Sequence, residues 1–263
     1  RPPRSTLFPY TTLFRSPDLH ITASMVHLAG SITDDGRSGD KALKVRWEVL
    51  EGPGAVVFGE ATSPQTDATF SEPGDYLLRL VADDGELWLS DMTTVHILPA
   101  GASVAKAWEF NVPLDKEGWS EADLGTQRRE WANQDWPTVA EPVKYVAGGY
   151  YLVAIENSPS ARLVSADGLG VELSDNKTIT LRFQNHTPAT RMRFSFTTEA
   201  SPDWQAASSK GFEVVPNDTG PRVYTVDMSD VPGWTGRLKQ LRLDLADGTS
   251  LTGTVRIDYL WIG

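Results

Sequence analysis

From Lys177 to Gly263, apolar and polar residues alternate with a period of two in short runs separated by turn-forming residues. Lys177-Thr-Ile-Thr-Leu-Arg-Phe-Gln, Thr190-Arg-Met-Arg-Phe-Ser-Phe-Thr, Arg222-Val-Tyr-Thr-Val-Asp-Met, Leu238-Lys-Gln-Leu-Arg-Leu-Asp-Leu and Gly253-Thr-Val-Arg-Ile-Asp-Tyr-Leu-Trp-Ile all carry the pattern. That period belongs to a strand with one face in a core, so the five runs predict antiparallel strands. Asn185-His-Thr-Pro, Ser201-Pro-Asp-Trp, Pro216-Asn-Asp-Thr-Gly-Pro, Pro232-Gly and Ala246-Asp-Gly lie between them and supply turn chemistry. No run there has helical spacing.

Upstream, residues 17–98 predict a smaller β-sandwich. His27-Leu-Ala-Gly-Ser-Ile-Thr ends at the turn Asp34-Asp-Gly, Leu43-Lys-Val-Arg-Trp-Glu-Val alternates, and Tyr76-Leu-Leu-Arg-Leu-Val-Ala runs into Asp83-Asp-Gly. Turn signals recur about every eight to twelve residues, as a sandwich requires. Trp47 is expected in the core of its strand, and Tyr76 at a strand corner with its hydroxyl bonded to backbone. Residues 99–106 are small and unpatterned and predict a linker. A second domain, 107–263, opens at Ala107-Trp-Glu-Phe. Residues 115–147, holding Trp119, Trp131, Trp136 and Tyr145, have little periodicity, and so long a loop is expected to be functional or poorly ordered. Gly149-Tyr-Tyr-Leu-Val-Ala-Ile resumes the sheet.

Arg1 to Ser16 back-translates, codon for codon, to the standard short-read sequencing adapter, so this tail is set aside from fold reasoning. It is expected to be dispensable. It implies a bacterial gene assembled from environmental (metagenomic) DNA whose natural 5′ end is missing, so the lack of a signal peptide says nothing about secretion. Three arginines of the tail count towards the net charge of −11, which becomes −14 without them. That balance argues against nucleic acid or an anionic membrane surface as partner, and disfavours self-association, so a monomer is expected. No apolar run approaches the roughly 18 residues of a transmembrane helix. With no cysteine, a disulfide framework and a zinc–thiolate site are excluded.

Two resemblances add to this pattern. Phe194-Ser-Phe-Thr-Thr-Glu-Ala-Ser-Pro-Asp-Trp, Val223-Tyr-Thr-Val-Asp-Met, Trp234-Thr-Gly-Arg-Leu-Lys-Gln-Leu-Arg-Leu-Asp and Val255-Arg-Ile-Asp-Tyr-Leu-Trp-Ile resemble the jelly-roll carbohydrate-binding modules of bacterial secreted polysaccharide-degrading enzymes, over roughly residues 105–263. Leu28-Ala-Gly-Ser-Ile-Thr-Asp-Asp-Gly, Trp47-Glu-Val-Leu-Glu-Gly-Pro-Gly and Ala68-Thr-Phe-Ser-Glu-Pro-Gly-Asp-Tyr resemble the Ig-like and PKD-like linker domains of such enzymes. The Trp-Asp-Phe-Gly-Asp motif of PKD domains is absent after Trp47, so only the broader Ig-like class is carried over. The expected fold is all-β: an Ig-like β-sandwich followed by a β-jelly-roll sandwich. By the same resemblance, a structural calcium ion would tie the first strand of the second domain to its last, at Glu109 and Asp258. Asp258 also sits opposite Ile257 and Tyr259 in the alternation, so its carboxylate must find water, a cation or an arginine. The doublets Asp34-Asp35 and Asp83-Asp84 offer calcium ligands, or are simply turns.

No catalytic constellation stands out. The four histidines lack metal-ligand spacing; there is no nucleophile elbow, phosphate loop or dinucleotide fingerprint; no recognisable glycosidase carboxylate pair appears; and the Gln-Ile-His and Tyr-x-Lys signatures of jelly-roll lyases are missing. The candidate ligand site comes from alternation. With Ile179, Leu181 and Phe183 in the core, Thr180, Arg182 and Gln184 face outward; with Met192, Phe194 and Phe196 inside, Arg191, Arg193 and Ser195 face outward; and Arg242 lies outward beside Gln240 and Asp244. If these strands share one curved sheet, it presents arginines suited to carboxylates or vicinal hydroxyls, with Tyr151 or Trp204 as a stacking platform. The competing expectation is that the arginines pair with Asp244 or Asp227 in a structural network. Trp108, Trp234 and Trp261 are expected to pack in the core or at sheet ends, whereas Trp204, Trp131 and Trp136 either stack on sugar rings or cap the core from loops.

The expected function is that of a non-catalytic, secreted, polysaccharide-binding fragment of a larger carbohydrate-active enzyme, whose catalytic domain lies upstream and whose ligand is a polysaccharide of uronate-containing or sulfated type. The alternatives are a lyase or hydrolase on the same scaffold, and a cell-surface adhesion or spacer module.

Overall fold

The structure, a computed structural model, describes residues 19–21, 24–32, 43–83, 88–125, 144–147 and 149–263. The adapter-like tail, Asp34, Asp35, Asp84, Trp131 and Trp136 lie outside the described residues. The described residues form strands, turns and loops without a helix, so the protein is all-β as expected, and no helix among them is long and apolar enough to cross a membrane. The chain divides into two compact units between Ser103 and Val104, within the small, unpatterned stretch 99–106.

The first unit contains β1 (Leu19–Ile21), β2 (Met25–Ala29), β3 (Lys44–Glu51), β4 (Val56–Phe58), β5 (Gln65–Phe70), β6 (Gly74–Asp83) and β7 (Trp88–Ile97). One sheet runs β1-β7-β6-β3 and the other β2-β5-β4. The alternation is regular in β5, where Thr66, Ala68 and Phe70 are buried and Gln65, Asp67 and Thr69 exposed. Trp47 is buried in this core, and its indole N–H donates to the Ser63 carbonyl at 3.1 Å, satisfying the one polar group that burial would leave unpaired. Tyr76 is fully buried, edge-on to Phe70 at 4.7 Å, with its hydroxyl donating to the Glu72 carbonyl at 2.8 Å. A Cβ at position 52 would stand 2.3 Å from the Tyr76 ring, so Gly52 lets the chain after β3 close over the tyrosine.

The second unit contains β8 (Lys106–Trp108), β9 (Ser120–Ala122), β10 (Lys144–Ala147), β11 (Tyr150–Ser158), β12 (Arg162–Val164), β13 (Thr178–His186), β14 (Arg191–Thr198), β15 (Ser209–Glu213), β16 (Arg222–Asp227), β17 (Leu238–Asp244) and β18 (Leu251–Ile262). A six-stranded sheet runs β10-β11-β18-β13-β16, with β8 also on β18, and a five-stranded sheet runs β15-β14-β17-β12-β9. The core holds Ile179, Leu181 and Phe183 from one sheet and Met192, Phe194 and Phe196 from the other, the sets that alternation predicts. Each such side chain contributes about 1.5 to 3 kcal/mol on burial.

One strand departs from simple alternation. Arg182 lies opposite Tyr259 but Phe183 lies opposite Ile257, so Asp258 is the extra residue of a β-bulge. The bulge inverts the phase of the four residues after it. Ile257, Leu260 and Ile262 belong to the core, whereas Tyr259 and Trp261 pack on each other at 4.7 Å on the outer side of the sheet. The expectation that Tyr259 shares the face of Ile257 is thereby corrected. Trp108, Trp234 and Trp261 are all buried, the last beneath the outer face instead of between the sheets. The Trp234 N–H donates to the Asn176 carbonyl at 2.8 Å.

Candidate functional site

The arginines singled out by alternation do not share one sheet. Arg182 and Gln184 lie on β13 of the six-stranded sheet; Arg193 and Arg242 lie on β14 and β17 of the five-stranded sheet. All point away from the core, hence to opposite outer faces of the sandwich. The physical reason is the connection at residues 187–190, which carries the chain across from one sheet to the other instead of making a hairpin.

The six-stranded face is engaged within the protein. Asp258, pushed outward by the bulge, takes the guanidinium of Arg182 in an ion pair whose partners are both largely shielded from solvent. An arginine is thus one partner of Asp258. Gln184 donates its amide to the Asp218 carbonyl at 3.3 Å, and the Asp218 carboxylate holds Arg222 at 2.7 Å, so these side chains tie down the loop before β16. Tyr259 and Trp261 are 1% and 9% exposed, too little to receive a sugar ring. Tyr151, expected as an alternative platform, is fully buried: its ring packs on Phe110 at 5.1 Å and its hydroxyl donates to Glu121 Oε1 at 2.6 Å. Burial, reinforced by the Glu121 carboxylate, pushes the phenol far above its ordinary range, so Tyr151 stays protonated and structural.

Glu109 and Asp258 come near one another through backbone pairing, since Trp108 of β8 lies opposite Leu260 of β18. The carboxylate of Glu117 caps the bend beyond β8, accepting the Phe110 N–H at 2.7 Å and the Glu109 N–H at 3.1 Å. Burial pushes Glu117 above its ordinary value of 4.5 despite these bonds, with Glu109 and Asp115 adding to the rise. Among the described residues no three His, Cys, Asp or Glu side chains gather as a metal group. Calcium at Glu109 and Asp258 would therefore have to share Asp258 with Arg182 and draw its other oxygens from backbone or water.

The five-stranded face is open. Trp204 stands in the loop after β14, which folds back through reciprocal bonds between Thr198 and Ser201 and rejoins the sheet where Phe196 N–H donates to the Ser208 carbonyl at 3.0 Å. The indole remains 38% exposed, and the Arg242 guanidinium carbon lies 4.6 Å from its ring centroid. Arg242 is itself fixed: its Nε is 2.8 Å from Asp244 Oδ1, and one terminal nitrogen donates to Asp244 Oδ2 at 3.1 Å and to Ser195 Oγ at 3.2 Å. Ser195 in turn donates to Asp244 Oδ2 at 3.0 Å. The ion pair with Asp244 balances the guanidinium charge and the two bonds from its terminal nitrogen hold it in place, so Arg242 serves as a support for Trp204. The arginines of this face divide between two roles: Arg242 is paired in a network, while Arg193, opposite Asp244 across the strand pair, is exposed and carries no side-chain partner among the described residues. On the far side of Asp244, Arg162 pairs with Asp123 at 2.8 Å. Sequence reasoning named Trp204, Arg193 and Arg242 without Arg162 or the role of Ser195. The signal for the clamp lay in Arg242-Leu-Asp244, where residues two apart on a strand share a face.

No protein-family model matches the chain. Among solved structures, a carbohydrate-binding module of the β-sandwich superfamily is similar at 16% identity, with 94% of each chain covered and a TM-score of 0.33. A CBM4 module is similar at 15% identity over 57% of this chain and 92% of its own, with a TM-score of 0.36. The PKD domain of the KIAA 1837 protein is similar at 21% identity over 36% of this chain and 92% of its own, with a TM-score of 0.27.

Proposed function

We propose that the second unit binds polysaccharide on the outer face of its five-stranded sheet and does not cleave it. The observation that carries this is the exposed indole of Trp204, backed by a charge-balanced Arg242 and set on the same face as Arg193, which has no side-chain partner among the described residues. An aromatic face held by a rigid support offers an apolar surface to the C–H side of a sugar ring, while neighbouring planar donors take its oxygens. The first unit is then a spacer, and the two units together would keep an attached catalytic domain near extracellular substrate by raising its effective concentration there. In this reading the protein works outside the cell as a monomer, as part of a larger secreted carbohydrate-active enzyme. Calcium shared by Glu109 and Asp258 belongs to the same proposal as a structural ion; unchanged melting of the second unit under chelation would assign Asp258 to Arg182 alone.

The test is titration of the protein with neutral and acidic oligosaccharides. Trp204→Ala should abolish measurable binding while leaving the melting curve close to that of the wild type. Loss of folding in this variant would make Trp204 a structural cap, and retained binding would remove the face from consideration.

A further inference from the structure

The five-stranded face holds a second arginine that lacks a carboxylate partner. Arg191 is two residues before Arg193 on β14, so both side chains leave the sheet on the same side, about 7 Å apart at the backbone. Glu213 lies directly opposite Arg191 on the edge strand β15, yet no ion pair joins them. The Arg191 guanidinium instead turns towards Gly211, the residue directly opposite Arg193: a Cβ at position 211 would stand 2.7 Å from its Nε and 2.7 Å from a terminal nitrogen. The missing side chain of Gly211 is thus the space into which one guanidinium folds beside the strand position of another. Both residues are exposed. The nearest carboxylate on the other flank of Arg193, Asp244, is already engaged by Arg242 and Ser195. Two exposed arginines on one face of β14, with no carboxylate partner among the described residues, in a protein of net charge −11, form a site that an anion would balance.

We propose that Arg191, turned towards Gly211, and Arg193, on the strand position opposite Gly211, bind the anionic group of an acidic glycan, a carboxylate or a sulfate ester, while Trp204 holds a neighbouring ring. This inference rests on the glycan-binding reading and deepens it. Ser195, the partner of Arg242 beneath Trp204, follows Arg193 by two residues, so the anion site and the stacking platform are one strand step apart, roughly 7 Å. That step is about the span of one or two sugar units. Guanidinium forks match the planar oxygens of a carboxylate and the oxygens of a sulfate ester alike.

The experiment is calorimetric titration of the full chain with neutral, uronate and sulfated oligosaccharides of equal length. The wild type should prefer an anionic class, and the class preferred names the group. Arg191→Gln should weaken anionic binding about tenfold, the worth of a charge-assisted hydrogen bond, and leave neutral binding unchanged, whereas Arg193→Gln should weaken anionic binding by more than it weakens neutral binding. Gly211→Val should weaken anionic binding likewise without changing the net charge, because its side chain evicts the Arg191 guanidinium; Gly211→Ala serves if valine lowers the melting temperature. Full anionic preference in both Gly211 variants, or equal losses for neutral and anionic ligands in the arginine variants, would overturn the site. Neutral binding at Trp204 with no anionic preference would sink this inference alone. Failure of the wild type to bind any oligosaccharide would sink the glycan reading with it.

Discussion

The two outer faces of the second unit are built from the same materials and come to different ends. Each carries outward arginines, an aspartate and tryptophan. On the six-stranded face, a bulge places Asp258 against Arg182 and puts Tyr259 and Trp261 out of reach of solvent. On the five-stranded face, Asp244 satisfies Arg242 and leaves Arg193 and Trp204 exposed. The role of an arginine here is set by whether a carboxylate reaches it, not by its own outward direction: Asp258 takes Arg182 and Asp244 takes Arg242, whereas Arg193, opposite Asp244, stays exposed.

Five substitutions would break or sharpen that contrast. The largest expected effect is Trp261→Ala, which should cost about 3 to 5 kcal/mol in denaturant unfolding because it empties a buried site. Trp204→Ala should cost well under about 1 kcal/mol, and equal losses would erase the distinction between the faces. Next is Asp258→Asn, which removes the carboxylate charge facing the largely buried Arg182; a loss on the order of 3 kcal/mol is expected. If Asp258→Asn proves neutral, the ion pair does not close its face. A smaller change concerns Glu117, a carboxylate served by backbone N–H groups instead of an arginine. Its folded pKa is raised above the ordinary 4.5, so the folded state holds its proton over a pH range in which the unfolded chain has lost it. The stabilising contribution is present below pH 4.5 and is lost as pH rises through the folded value. Glu117→Gln should flatten that fall in melting temperature, and an unchanged slope would place the titration elsewhere. The smallest effect expected is on Arg193→Gln stability, within about 0.5 kcal/mol, since an exposed, unpaired side chain supports nothing in the fold.

Much of the fold was legible because strand alternation is a local property. The runs at 177–184, 190–197 and 238–245 name their own core residues, and Trp47 and Tyr76 sit where a sandwich needs a large ring and a corner hydroxyl. Which sheet each strand joins was not legible. Alternation separates inside from outside but carries no mark for one sheet or the other, so Arg182 and Arg193 read as neighbours although the chain crosses the sandwich between them. The phase inversion at Asp258 was hidden for a related reason: a bulge is a property of two strands, visible only when Phe183 and Ile257 are seen opposite each other. Tyr151 misled because both faces of Tyr150-Tyr-Leu-Val-Ala-Ile are apolar in sequence, so alternation does not say which tyrosine faces the core; the structure buries Tyr151, Val153 and Ile155 and half-buries Tyr150, Leu152 and Ala154. Alternation already put Arg191 outward beside Arg193, but its turn towards Gly211 was not legible, because it depends on the register of β14 with the next strand, β15, and alternation carries no register.

β18 pairs with β11, β13 and β8, strands drawn from the beginning and the middle of the second unit, although it comes after all of them in the chain. During synthesis, the β10–β11 and β13–β16 halves of the six-stranded sheet therefore have no hydrogen-bonded bridge between them until residues 251–262 have left the ribosome. Contacts of such long sequence separation form slowly, and the waiting halves expose strand edges in the interval. Closure of this sheet waits for residues 251–262, and a nascent chain paused before Leu251 would offer those open edges to chaperones.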